Sequence, residues 1–257
     1  MKGMSAEAKL HWDVYGEGDN LILIHGWGMN GAVWHQVVEE LSQHFCVHVV
    51  DLPGYGHSHQ IHSQSIADIA DKVLQDAPEQ AIWLGWSLGG LIATHAALHQ
   101  PQRVTKLITL ASSPRFSAEG RTWRGIAPSV LNDFTSQLTD DFQGTIERFM
   151  ALQAMGSPSA RQDVKQLKSA VLSRPMPNPK ALHLGLELLA SIDYRDHLNA
   201  LTMPIHRLYG RLDGLVPVKV ASVLDKQLQA SSHIFKASSH APFMSEKQAF
   251  CDLIKQL

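Results

Sequence analysis

Six short apolar runs, set among Gly, Pro and Asp and spaced by helical periodicity, leave this chain few ways to fold. They fall at 21–24, 46–50, 81–84, 107–110, 205–209 and 233–235. Runs this short and this continuous are expected of parallel strands buried on both faces. Helical patterns lie between or after them at 33–44, 66–75, 88–98, 217–228 and 245–257. Such alternation predicts an α/β fold, with a mostly parallel central sheet and helices on both faces. The rhythm breaks between 115 and 190, where no strand pattern is found. Helical spacing covers 141–154, 159–173 (with Ser159 as its expected cap) and 180–190. Residues 1–114 and 191–257 are therefore read as the core, and 115–190 as an all-helical cap over the strand ends, where open α/β sheets bind ligands.

The 257 residues, 44% hydrophobic and 18% charged, suit one soluble domain with a large core. A formal net charge of −2 argues against nucleic acid as a partner, because phosphate binding needs excess Lys and Arg. No apolar run approaches the ~18 residues that cross a bilayer. Residues 1–9 carry no apolar leader pattern. The expectation is a cytoplasmic monomer that binds neither nucleic acid nor membrane. Cys46 and Cys251 are read as buried apolar fillers.

The sharpest local signal is Gly85-Trp86-Ser87-Leu88-Gly89, set between the strand ending at Leu84 and a helix. In that context it reads as a nucleophile elbow, a tight turn that presents the Ser87 hydroxyl at a helix N-terminus. Serine needs a general base, and in this chain order an acid precedes the histidine. His240, after the last strand, is the expected base among fifteen histidines. Asp213, after the preceding strand, is the expected acid, though an Asp before Gly214 also suits a plain turn. Asp193 and Asp196 precede that strand and are the weaker alternatives. An oxyanion hole is expected from the backbone N–H groups of Leu88 and Trp27. The Trp27 ring suits either the wall of an acyl site or simple packing. His57, His59 and His62 lie in a polar loop without a matching fourth ligand, so neither metal nor organic cofactor is called for.

Set in order, His25-Gly26-Trp27-Gly28, Asp51-Leu52-Pro53-Gly54-Tyr55-Gly56, the elbow, Leu212-Asp213-Gly214-Leu215-Val216-Pro217 and Ser239-His240-Ala241-Pro242-Phe243 resemble the α/β-hydrolase superfamily. Within it, Ala111-Ser112-Ser113-Pro114, Glu147-Arg148-Phe149, Ala151-Leu152-Gln153, Met155-Gly156 and Ala160-Arg161-Gln162-Asp163 resemble the carboxylesterases of biotin synthesis. The likeness runs from about Trp12 to the end. It implies a Ser87–His240–Asp213 esterase that hydrolyses the ω-methyl ester of a pimeloyl chain carried on acyl carrier protein. It also implies that Trp27, Leu88, Phe149, Met150, Ala151, Leu152 and Gln153 contact the substrate. Arg148, Arg161 and Lys165 match positions that dock the carrier. Met150 stands at a Leu-type position, Lys165 replaces an arginine, and Gly144 stands where the family has another.

Charge segregation bears on the carrier independently. Residues 115–180 hold nine basic and six acidic side chains, whereas the rest of the chain carries net −5. Arg161, Lys165 and Lys168 share one helical face, suited to an acidic partner or to plain solvation. A generalist short-chain esterase or carbon–carbon hydrolase uses the same three groups, and a non-catalytic binding protein is the more distant reading. Small esters are expected substrates in either hydrolytic case.

Overall fold

The computed structural model describes residues 9–257; the leader reading of residues 1–9 therefore lies, but for Lys9, outside the described residues. Seven strands form one sheet in the order β1-β3-β2-β4-β5-β6-β7. They are β1 (Trp12–Tyr15), β2 (Asp19–Ile24), β3 (Phe45–Val50), β4 (Ala81–Trp86), β5 (Val104–Leu110), β6 (Ile205–Gly210) and β7 (His233–Phe235). Only β1 runs antiparallel, paired with β3. The other pairings are parallel. The six apolar runs all become strands, and Leu21 to Ile24 are completely buried at the centre. β1 escaped the sequence reading because Trp-Asp-Val-Tyr is a four-residue edge strand that is nowhere fully buried.

The chain enters the sheet at the β1 edge, passes to β2, steps back to β3 between them and then returns past β2 to β4. α2 (Ile66–Asp76) and α3 (Leu88–His99) pack on each other. Because the step from β2 to β3 runs opposite to those from β3 to β4 and β4 to β5, the right-handed crossover rule sets α1 (His35–Leu41) on the other face. α8 (Lys219–Leu228), joining β6 to β7, follows the same direction as α2 and α3. The last helices are α9 (Pro242–Ser245) and α10 (Lys247–Gln256), and α10 packs on α1. The reversal of strand order opens a crevice at the C-terminal ends of β2 and β4.

Four helices occupy the segment between β5 and β6: α4 (Pro128–Asp140), α5 (Phe142–Ala154), α6 (Ala160–Leu172) and α7 (Pro179–Ser191). The sequence reading has only three. It misses α4, although Pro128 at its first turn and buried Leu131, Phe134 and Leu138 at helical spacing mark it. Three boundaries also differ. The expected 33–44 helix is a 3-10 turn at Gly31–Trp34 followed by α1. The 217–228 helix starts at Lys219, and the 245–257 helix is divided at Glu246, whose backbone leaves the helical region. Ser159 does not cap α6 with its side chain; its hydroxyl donates to the buried Asp163 carboxylate instead. Cys251 is buried, whereas Cys46 is only half-buried, near the start of β3. No helix among the described residues is long and apolar enough to cross a membrane.

Candidate active site

Ser87 sits at the crevice with φ 56° and ψ −120°, a conformation costing an L-residue about 1–3 kcal/mol. Its neighbours explain how the turn is held. A Cβ on Gly85 would collide with the carbonyl of Gly89, and one on Gly90 with the side chain of Ser112. The Ser87 N–H donates to Leu110 O at 2.9 Å, and its carbonyl accepts the Ser112 hydroxyl at 2.8 Å. The strain is thus paid by bonds from β5 and the loop after it, and the hydroxyl is left at the N-terminus of α3.

His240 Nε2 lies 2.8 Å from Ser87 Oγ, and Nδ1 lies 2.7 Å from Asp213 Oδ2. The other Asp213 oxygen accepts the N–H groups of Leu215 (2.8 Å) and Val216 (3.0 Å). A carboxylate can only accept, so Nδ1 carries the imidazole proton and Nε2 is free to accept from Ser87. The ring is held from both sides of its backbone. The His240 N–H donates to Gln153 O at 3.1 Å, and the Trp86 indole N–H donates to His240 O at 2.7 Å. Ser87, Asp213 and His240 are all buried. Asp193 is no alternative acid. Arg195 first, and Arg115 second, grip its carboxyl and hold it well below the usual range. Asp196 is exposed in the 3-10 turn Arg195–Ala200.

The loop after β2 runs beside the elbow: a Cβ on Gly26 would stand 3.1 Å from Ser87 Cβ. Trp27 on this loop is completely buried. Its indole N–H donates to Leu182 O at 2.8 Å and its ring meets Phe149 edge-on at 4.7 Å. Gly185 on α7 leaves room for it, since a Cβ there would strike the indole. The packing role left open by the sequence is therefore filled. His25 braces the same loop, donating from Nδ1 to Gly26 O (2.9 Å) and accepting the Leu52 N–H at Nε2 (3.1 Å).

Burial pushes His25 down to about 4 from 6.5. The unfolded chain therefore binds the proton first as pH falls. The His25 contribution to stability is complete above pH 6.5 and is lost between there and about pH 4. This amounts to about 3 kcal/mol. Denaturant midpoints measured across that range should fall steeply in the wild type and less steeply in His25→Gln. Equal slopes would assign the acid sensitivity to other groups.

The five consecutive positions 149–153 cannot share one face of α5, because each residue turns the helix by about 100°. Phe149 meets Trp27, and buried Met150 turns toward Val171 and Met176 on the α6 side. Ala151 and Leu152 face an open apolar groove of about 430 Å³ with Val130, Phe134, Met155 and the Arg148 stem. Gln153 is completely buried, and neither amide atom has a protein partner. A second cavity, of about 310 Å³, lies under α7 against Tyr55, Ile69, Leu88 and Ile92.

Arg148 pairs with Asp141 at 3.3 Å, while Arg161 and Lys165 are exposed on α6. Lys168, on the same face, is tied to Glu147 at 2.7 Å. Gly144 has its N–H capped by Asp141 at 2.9 Å. The three loop histidines diverge. The His57 ring packs edge-on against His11, His59 bonds Gly56 O, and His62 lines the 310 Å³ cavity. Among the described residues, no group of three His, Cys, Asp or Glu side chains is arranged to hold a metal ion. Sequence reasoning missed Ser112, Arg174 and Asp51 as parts of the frame around the site, since their partners lie far off in the chain.

A strand–elbow–helix serine, a buried histidine and a late acid on a mostly parallel sheet define a hydrolase architecture. The model of the α/β hydrolase fold family matches residues 19–247, and the chain belongs to that family. It is 66% identical over 248 residues to the pimeloyl-[acyl-carrier protein] methyl ester esterase of Vibrio campbellii, covering 96% of this chain and 97% of that one. Against the enzyme of the same name from Vibrio cholerae, identity is 63%, with coverage of 94% and 95%. Among solved structures, an esterase from Exiguobacterium antarcticum superposes with a TM-score of 0.84 at 20% identity, covering 96% of this chain and 94% of that one. The enol-lactonase from Burkholderia xenovorans gives 0.82 at 17%, covering 96% and 95%.

Proposed function

We propose that this chain is a serine carboxylesterase that hydrolyses pimeloyl-[acyl-carrier protein] methyl ester to pimeloyl-[acyl-carrier protein] and methanol, a step of biotin synthesis. The observation that carries the reading is the unbroken relay from Ser87 through His240 to Asp213, in a chain 66% identical to an esterase of that name. His240 Nε2 takes the Ser87 proton as Oγ attacks the ester carbonyl, and Asp213 stabilises the imidazolium that forms. The N–H groups of Trp27 and Leu88 receive the oxyanion. His240 returns the proton to methoxide, methanol leaves, and water activated by the same ring hydrolyses the acyl-enzyme. No metal or organic cofactor enters these steps.

In this reading residues 115–190 act as the cap. Phe149 shapes the acyl site beside Trp27, Met150 backs it from the α6 side, and Ala151 and Leu152 do so from the groove. The buried Gln153 amide, with a free donor and a free acceptor, hydrogen-bonds the bound ester. Arg148, Arg161 and Lys165 meet the acidic carrier. The enzyme works as a cytoplasmic monomer.

The direct test is incubation of the purified protein with the carrier-linked methyl ester, measuring methanol and the freed carboxylate together. Turnover of free short esters with none of the carrier-linked one would reduce the reading to a generalist esterase. The docking face is tested separately by Arg161→Glu combined with Lys165→Glu. This variant is expected to raise KM for the carrier-linked ester by about tenfold at low salt. KM for a free short ester should not move, and an equal rise for both would remove the docking role.

A further inference from the structure

We propose that Arg174, in the loop between α6 and α7, is a positioning residue for the loop that supplies an oxyanion N–H, acting through buried Asp51. The inference rests on the esterase reading above. Arg174 follows Ser173, the C-cap of α6, and its side chain is only 6% exposed. One guanidinium nitrogen, Nη1, donates to Asp51 Oδ2 at 2.8 Å, and Nη2 donates to Asp13 Oδ2 at 2.5 Å. Asp51 stands just past β3 and is completely buried. Its Oδ1 accepts the Gly31 N–H at 2.7 Å, and Oδ2 also accepts the His57 N–H at 2.7 Å.

Gly31 closes the loop that carries Trp27, so the carboxylate fixes one end of that loop while His25 braces the other. A Cβ on Gly31 would clash with Val49, so the loop has no slack on the sheet side. A second bond joins the same two segments, from the Asn30 amide to Val171 O at 3.2 Å. The third is the Trp27 indole bond to α7. The oxyanion loop is thus held between the sheet and the helical segment, and Arg174 is the cation at the joint.

A buried carboxylate without its cation takes up a proton or admits water, and either change loosens what it holds. Here it holds the Gly31 N–H. Oxyanion donors act only within a few tenths of an ångström of their working position. Loss of Arg174 therefore shows itself in transition-state binding, through a residue that never touches substrate. His25, the titratable ring beside Asp51, cannot replace it, because it bonds Gly26 O and the Leu52 N–H.

The test uses Arg174→Met in the full chain. It reads kcat and KM with p-nitrophenyl acetate, the inhibition constant of phenylboronic acid, and Tm. The boronate forms a tetrahedral adduct on serine and so reports the oxyanion site directly. The expected result is a kcat lower by about tenfold, KM within about twofold of wild type, and boronate inhibition weaker by the same factor as kcat. Arg174→Lys, which keeps a charged donor toward Asp51, should recover most of both. A variant with lowered Tm but wild-type kcat and boronate inhibition, assayed well below its Tm, would make the pair merely structural and overturn the proposal. Should Arg174→Met not fold, Arg174→Gln is read by the same criteria. A wild-type protein inactive on the ester would overturn the esterase reading instead, before any variant is compared.

Discussion

Ser87→Ala is expected to lower kcat on a short p-nitrophenyl ester by five to six orders of magnitude, roughly the loss on removing the nucleophile of a comparable relay. The size follows from the chemistry: His240 and Asp213 have no task without an Oγ to deprotonate, so removing one group disables all three. The residual rate belongs to the oxyanion donors and to binding. Folding should survive. Alanine keeps the Cβ already accommodated at φ 56°, and the backbone bonds to Leu110 and Ser112 do not use the hydroxyl. An unchanged thermal transition with abolished turnover is the expected pair of results. Activity near wild type would remove Ser87 from the mechanism.

Asp213→Asn should cost about four orders of magnitude in kcat, by a different route. Asp213 has two jobs in opposite directions. Its Oδ1 accepts from Leu215 and Val216, and its Oδ2 accepts from His240. Asparagine has one acceptor and one donor group. Two backbone N–H groups claim the acceptor, so the amide N–H₂ turns toward Nδ1. Nδ1 must then accept, the ring proton moves to Nε2, and Nε2 can no longer receive the Ser87 proton. Geometry is kept while the tautomer is wrong. The rate should rise with pH as hydroxide replaces the lost base. A kcat within tenfold of wild type would show that Asp213 is only a turn residue.

The centre of the sheet was legible because strands such as β2 and β4 are buried on both faces, which leaves uninterrupted apolar runs. β1 was not, because an edge strand such as Trp12–Tyr15 is short and only partly buried. The elbow was legible because Gly85 and Gly89 serve a purely local turn. His240 and Asp213 were legible by position, as the residues after the last two strands. Arg174 was not, because nothing near it in the chain announces that Asp51 lies 2.8 Å away across 123 residues. Adjacency in the motif also hid how positions 149–153 divide. The motif spells five adjacent letters, but the helix sends Phe149 to Trp27 and Ala151 to an outer groove.

The glycines of the elbow have a consequence for evolvability. At Gly85 and Gly89 an added carbon meets main chain: the Gly89 carbonyl in one case, the Ile24 and His25 carbonyls in the other. Main chain at the start of α3 and the end of β2 cannot step aside, so drift at these positions is closed. At Gly144, in the helical segment, the obstacle is only the Asp141 side chain, which can rotate away. With the helical segment as the proposed docking face, mutation can explore what the protein recognises while the reaction it performs stays fixed. A saturation library scored for activity should show that division as a sharp boundary at the crevice, with intolerance on the sheet side and latitude above it.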